Sequence, residues 1–220
     1  EQMVKFISAT EAAKFFKDNN SVMIGGFLKC GAPTAVIDEL LKTSIKDLTL
    51  IGNDTSLPDS DRGKLVSAHK IKKAIVSHIG TNPETVAQMN AGTLEVELAP
   101  QGSLAERIRA GGAGLGGVLT PTGIGTDVAK GKQIINVDGK DYILEKPLRA
   151  NIALIYATHA DKFGNLSYFG STRNFNVVMA SAADIVIAEV DYLHNEPLDP
   201  NNVIVPGIMV DYIVAKENVK

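Results

Sequence analysis

Between the apolar run Ser21-Val22-Met23-Ile24 and a segment whose Val36, Ile37, Leu40 and Leu41 fall on one helical face stands Gly25-Gly26-Phe27-Leu28-Lys29-Cys30-Gly31-Ala32-Pro33. Its glycines lack a Cβ, so the backbone can approach a ligand closely. Open amides at the start of the following helix favour an anion by roughly 0.3 to 1 kcal/mol when exposed. The chemistry on offer is the holding of a phosphate or carboxylate against main chain. The segment is neither a Walker A loop, which ends Gly-Lys-Ser/Thr, nor the Rossmann glycine fingerprint. On its residues alone, a tight turn packing a strand on a helix is the favoured reading.

Other reactive side chains carry less. Cys30 lies where a helix N-terminus would lower a thiol pKa, but the sequence pairs no base with it, and a small packing residue is the better reading. His78 closes an apolar run and reads as a satisfied buried histidine. His69, His159 and His194 have no spacing to one another or to carboxylates that suits a metal, so none is expected. Glu84 at a helix start complements the helix dipole and Glu189 reads as structural, although either carboxylate would gain nucleophilic character if desolvated.

These residues need elements to position them. Ser8-Ala9-Thr10-Glu11 is a capping box opening a helix to about Phe16. Strands follow at Ser21 to Ile24, Leu48 to Gly52 and Lys73 to Ser77, each short and continuously apolar as in a buried parallel sheet. Pro33 suits the first turn of the second helix, and Asn82-Pro83-Glu84 caps another through Met89. Leu94 to Leu98 alternates as a strand, and Ser103 to Arg109 reads as a helix.

Gly111 to Gly117 looks too glycine-rich for a stable element and reads as a long loop through Thr120-Pro121-Thr122-Gly123, lining a substrate cleft or packing on a partner. Asp138-Gly139 between Gln133 to Val137 and Lys140 to Leu144 signals a type I′ hairpin. Strands at Ile152 to Tyr156, Ile185 to Glu189 and Tyr212 to Ala215, with a helix at Asn176 to Ala182, complete the pattern. The expected fold is α/β: an open, mainly parallel sheet joined by right-handed crossovers, helices on both faces and a β-hairpin excursion, all in one domain over residues 1–220. Ligands of such sheets bind beyond the strands' carboxyl ends, which directs attention to Gly25, Gly52, His78 and Pro100-Gln101-Gly102.

Composition narrows the partners. A net charge of -3 with scattered basic residues offers no footprint for nucleic acid. No apolar run approaches the roughly 20 residues of a membrane span, and Glu1 to Phe6 lacks the regions of a secretory signal. The single cysteine fits a reducing compartment, so a cytoplasmic location is expected.

Taken together, Asp18-Asn19, Val22-Met23-Ile24-Gly25-Gly26-Phe27, Gly31 and Pro33 resemble the N-terminal signature of family I CoA-transferases. So do Asn53-Asp54-Thr55, Ser77 to Glu84, Pro100-Gln101-Gly102, Gly111 to Gly117, Thr120 to Gly123 and Arg173-Asn174-Phe175-Asn176, which together span nearly the whole chain. The likeness is to the A (alpha) subunits of the 3-oxoacid type, which act on butyrate, acetate and acetoacetate. It implies a beta-subunit partner, usually in a heterotetramer, and a CoA thioester as substrate with no permanently bound cofactor. In the family a beta-subunit glutamate attacks the thioester, giving an acyl-glutamyl anhydride and then a glutamyl-CoA thioester. No Glu-Asn-Gly type of motif occurs here, so the nucleophile is not expected in this chain.

The resemblance places CoA against Gly25, Gly26, Phe27, Leu28, Lys29, Cys30 and Gly31. It makes Gln101 a helper able to donate to a carboxylate or acyl oxygen. Lys29 and Thr34 depart from many relatives, which have a small residue and a glutamate there, and leave the individual CoA contacts open. A sugar-phosphate isomerase or ligand-sensing domain of related fold is the rival reading. An NAD-dependent dehydrogenase ranks below both, lacking the glycine fingerprint and its acidic ribose partner.

Overall fold

The computed structural model describes residues 4–219; the first three residues of the Glu1–Phe6 stretch read for a secretory signal lie outside them. In chain order the first elements are β1 (Lys5–Phe6), α1 (Ala9–Ala13), β2 (Ser21–Ile24), α2 (Thr34–Leu41), β3 (Leu48–Ile51) and α3 (Asp61–Ser67). Next come β4 (Ile71–Val76), α4 (Pro83–Asn90), β5 (Glu95–Leu98), α5 (Gln101–Ala113), β6 (Val118–Thr120), β7 (Ile134–Val137) and β8 (Lys140–Glu145). The last are β9 (Ala150–Asp161), β10 (Leu166–Ser167), α6 (Asn176–Met179), β11 (Ala183–His194) and β12 (Tyr212–Val219).

The main sheet runs β1-β12-β11-β9-β2-β3-β4-β5, parallel throughout, with β10 added antiparallel to β9. Its strands are buried on both faces, which is why they read as unbroken apolar runs. Alternate residues serve two separate cores. Val22, Ile24, Leu50, Ala74, Val76, Ile152 and Leu154 pack under α1 to α4, while Met23, Ile51, Ile75, Ala153 and Ile155 pack under α5 and α6.

From β2 the chain steps outward through β3, β4 and β5; from β9 it steps the other way through β11 and β12. The topological switch point therefore lies between β2 and β9, and the crevice beyond their carboxyl ends is where an open α/β sheet offers a binding site. Gly25 is the first residue past β2 on that edge.

The antiparallel sheet β6-β8-β7 stands apart. Asp138 and Gly139, at φ of 51° and 81°, join β7 to β8 as a type I′ turn requires. The Ser8 capping box forms as expected, but α1 ends at Ala13 rather than near Phe16. Phe15 and Phe16 amides instead bond to the carbonyls of Ala12 and Ala13, tightening the tail into i to i−3 turns.

A further expectation fails. Gly111 to Ala113 are helical, not loop, because they are the last turn of α5. A Cβ on Gly111 would lie 1.9 Å from the Leu148 carbonyl oxygen, and one on Gly112 would lie 2.1 Å from Ser181 Oγ. Those glycines mark close packing. The helix stops at Gly114, whose φ of 70° and the Leu115 amide bonding back to Ala110 form a left-handed cap. The sequence also hides α3, which begins at Asp61 with φ of 30° and carries Gly63 within it.

Candidate functional site

The turn after β2 is built from inside. The Gly25 amide bonds to Leu154 O of β9, and a Cβ on Gly25 would fall 1.6 Å from Asn176 Oδ1. Asn176 is buried and ties the switch point together: its Oδ1 accepts from the Tyr156 amide at 2.9 Å, and its Nδ2 donates to the carbonyls of Gly31 at 3.0 Å and Thr172 at 2.8 Å. Asn174 accepts from the Gly26 amide at 3.1 Å and donates to Cys30 O at 3.1 Å. Gly26 and Gly31 sit at φ of 123° and 65°, the left-handed region that glycine tolerates.

On the turn's other side lies Arg62 of α3, fully buried. Its guanidinium donates to the carbonyls of Gly25, Gly26 and Leu28 at 3.3 to 3.4 Å and to Asp54 O at 2.7 Å, and pairs with the carboxylates of Asp54 and Asp61. Asp54 Oδ2 accepts from the Leu28 amide at 3.0 Å and from Asn53 Nδ2 at 2.6 Å. Burial pushes the Asp54 carboxyl up, but Arg62 and these donors outweigh it and hold the group below its ordinary value.

The tip that results is a four-residue β-turn closed by reciprocal Phe27 and Cys30 main-chain bonds at 2.9 and 3.0 Å. Phe27 and Lys29 are exposed, while Leu28 and Cys30 are half-buried. The three glycines contact protein on their Cβ sides, so the surface of the turn is that of Phe27 to Cys30.

Leu28 and Phe27 share a cavity of about 270 Å³ with Asn53, Asp54, Ser77, His78, Thr81 and Gln101. It opens at the carboxyl ends of β3 and β4. Gln101, the first residue of α5, donates through Nε2 to Asn53 Oδ1. Ser77 Oγ donates to Asn53 O at 2.6 Å. His78 is exposed and faces this cavity rather than the core, which corrects the buried reading: it lies two residues beyond β4, outside the sheet's covered span. The turn and Gln101, far apart in sequence, thus line one space.

The remaining singled-out residues fall elsewhere. Glu189 is completely buried and accepts from the amides of Ala35 at 3.0 Å and Val36 at 2.9 Å, at the N-terminus of α2. Glu189 is thus structural, and the expectation of helix amides open to an anion is corrected at Ala35 and Val36, which an internal carboxylate satisfies. Lys216 Nζ lies 3.4 Å from the same Glu189 and 3.0 Å from Asp191. Glu84, in the first turn of α4, accepts from Gln88 Nε2. Cys30 Sγ lies 3.5 Å from Ser171 Oγ, a contact with no base. Strand pairing brings His159 Nδ1 to 2.9 Å from His194 Nε2, a contact concealed by 35 residues of separation. No group of three or more His, Cys, Asp and Glu side chains is arranged to hold a metal among the described residues.

The coenzyme A transferase family profile matches residues 6–216. The chain belongs to the coenzyme A transferase family. It is 47% identical over 217 residues to the acetate CoA-transferase subunit alpha of Escherichia coli K12, covering 98% of this chain and 99% of that one. It is 50% identical over 213 residues to the acetoacetyl-CoA:acetate/butyrate CoA transferase alpha subunit of Clostridium acetobutylicum, covering 96% and 98%. These end-to-end matches make it a CoA-transferase subunit of the alpha type.

Among solved structures, the acyl-CoA transferase YdiF of Escherichia coli O157:H7 superposes with a TM-score of 0.85 at 23% identity, over 98% of this chain and 47% of that one. The chain thus spans about half the length of that protein. Glutaconate CoA-transferase of Acidaminococcus fermentans gives 0.82 at 22% identity, over 96% and 75%. Both share the fold of this CoA-transferase subunit. No helix among the described residues is long and apolar enough to cross a membrane.

Proposed function

We propose that this CoA-transferase subunit works with a beta subunit, in a cytoplasmic heterotetramer, to exchange CoA between a short-chain acyl-CoA and acetoacetate or another short-chain carboxylate. Acetyl-CoA and butyryl-CoA are the expected donors, matching what the two curated relatives are named for. The chain acts as one domain whose turn tip, Phe27 to Cys30, takes the CoA. Gln101 donates from the cavity wall to the carboxylate or acyl oxygen. The partner's glutamate is the nucleophile: its carboxylate displaces CoA thiolate to form an acyl anhydride, and the thiolate then attacks the glutamyl carbonyl, forming the glutamyl-CoA thioester and releasing the acyl group as its carboxylate.

The observation that carries this reading is the cavity at the carboxyl ends of β3 and β4, where the glycine turn and Gln101 face one another. Exchange of one thioester for another is nearly balanced, so no nucleotide hydrolysis or redox group is required. Glu189 supports the division of labour, since its two amide bonds leave it poorly placed to attack anything.

Co-expression with the partner subunit, incubation with acyl-CoA and borohydride trapping test the proposal. The modified glutamate should map to the partner, and the isolated chain should turn nothing over. A label on Glu84 or Glu189, or robust turnover by this chain alone, overturns it. Titration of the assembled protein with CoA and with sugar phosphates should yield binding of CoA; binding of sugar phosphates alone refutes the transferase reading.

A further inference from the structure

We propose that Arg62 is a positioning residue that sets the conformation of the CoA turn and, through it, the affinity for acyl-CoA; this rests on the CoA assignment made above. A buried guanidinium has five N–H donors in a fixed plane and is costly to desolvate, so a fully buried arginine must be matched on all sides. Here three of its partners are consecutive or near-consecutive carbonyls of the turn, Gly25, Gly26 and Leu28. The others are Asp54 and Asp61. Asp54 in turn holds the Leu28 amide, so the tip is gripped at a carbonyl and an amide by one ion pair.

Two independent features show that the local backbone is arranged around this side chain. A Cβ on Gly26 would fall 2.6 Å from Arg62 Nη1, so the guanidinium occupies the space that a side chain there would take. Leu28, Ser56 and Asp61 have φ of 48°, 55° and 30°, a cost for residues with side chains. Each meets the network: Leu28 through its carbonyl, Ser56 through its amide to Asp54 Oδ1 at 2.7 Å, Asp61 through its carboxylate. The chain of contacts continues from Asp54 through Asn53 to Gln101. Arg62 therefore sets the spacing between the tip and the wall without touching the cavity.

The test compares the assembled enzyme carrying wild-type chain, Arg62→Lys, and Arg62→Met combined with Asp61→Gly. Arg62→Met alone would strand two buried carboxylates; the second change removes one of them and relieves its positive φ. Lysine keeps the charge but not the planar fork. The double variant should raise the acyl-CoA KM by about tenfold while kcat stays within about threefold, the signature of lost binding common to ground and transition states. CoA affinity by calorimetry should fall in parallel, and Arg62→Lys should recover part of it. Folded variants with wild-type KM and CoA affinity overturn the positioning role alone. Failure of the wild-type assembly to bind CoA removes the assignment beneath it, and the proposal with it.

Discussion

Two glycine-rich stretches of this chain look alike in sequence and do opposite things. Gly25 to Gly31 is a turn whose glycines leave helical and strand geometry, with Gly26 and Gly31 at positive φ. Gly111 and Gly112 are ordinary helix, and their missing side chains let Leu148 O and Ser181 Oγ approach. In the first stretch the gaps are filled by Asn176 at Gly25, by Arg62 at Gly26 and by the Thr172 carbonyl with Asn174 at Gly31; in the second, by the Leu148 carbonyl at Gly111 and by Ser181 at Gly112. Close approach is common to both, and the positive φ at Gly26 and Gly31, absent at Gly111 and Gly112, is what separates the turn from the helix.

Substitution by alanine tests that contrast directly. Gly111→Ala has the largest expected effect, a loss of about 3 kcal/mol, at the upper end for overpacking because the obstruction is a carbonyl fixed in main chain. Urea denaturation should show it, with CoA affinity of the folded fraction retained. Gly25→Ala should cost about 2 kcal/mol, since Asn176 can swing aside only by giving up its bonds to Tyr156 and Gly31. Here CoA binding should fall as well, and a Gly25→Ala protein with unchanged affinity would separate the turn from the ligand.

Acid should act on one region before the other. Asp54 is ionised in the fold below its ordinary value, so the stability it provides is fully present above the unfolded value of about 3.9 and is lost as pH falls through the lower folded value. Hydrogen exchange read across that window should show the Leu28 amide losing protection ahead of amides near Gly111. In Asp54→Asn that difference in pH response should vanish. The smallest effects belong to open positions: Gly114→Ala, at φ of 70° with nothing within 4 Å, should cost about 1 kcal/mol. Gly102→Ala, helical and equally open, should add about 0.5 kcal/mol.

The strands β2, β3, β4, β5 and the β7–β8 hairpin were legible because burial on two faces or a strict turn chemistry leaves a local pattern. Strands β9 and β11 run several residues further than their apolar centres suggest, since His159, Asp161 and His194 interrupt the run yet still pair. Helix α3 was invisible. It opens on Ser60-Asp61-Arg62-Gly63, a sequence that reads as a loop, and its stability comes from the Leu65 and Val66 contacts and the Arg62–Asp54 ion pair, all of them made outside the helix.

The same asymmetry holds at the site. The turn and Gln101 were found through motif resemblance, and His78 through its place at a strand end, although its burial was misjudged. Arg62 left no signal, because a lone arginine beside two acids is what a solvated surface looks like. Glu189 was read as structural, but its grip on the α2 amides depends on a pairing 154 residues away.

That grip sets a condition on how anything charged is held here. With the terminus of α2 neutralised from within, attraction for a phosphate falls to side chains at the rim of the turn, among which Lys29 stands exposed. A surface ammonium is screened over about 8 Å at physiological ionic strength, whereas desolvated amides are much less so. The hold of this face on an anion is consequently tuned by the salt of its surroundings.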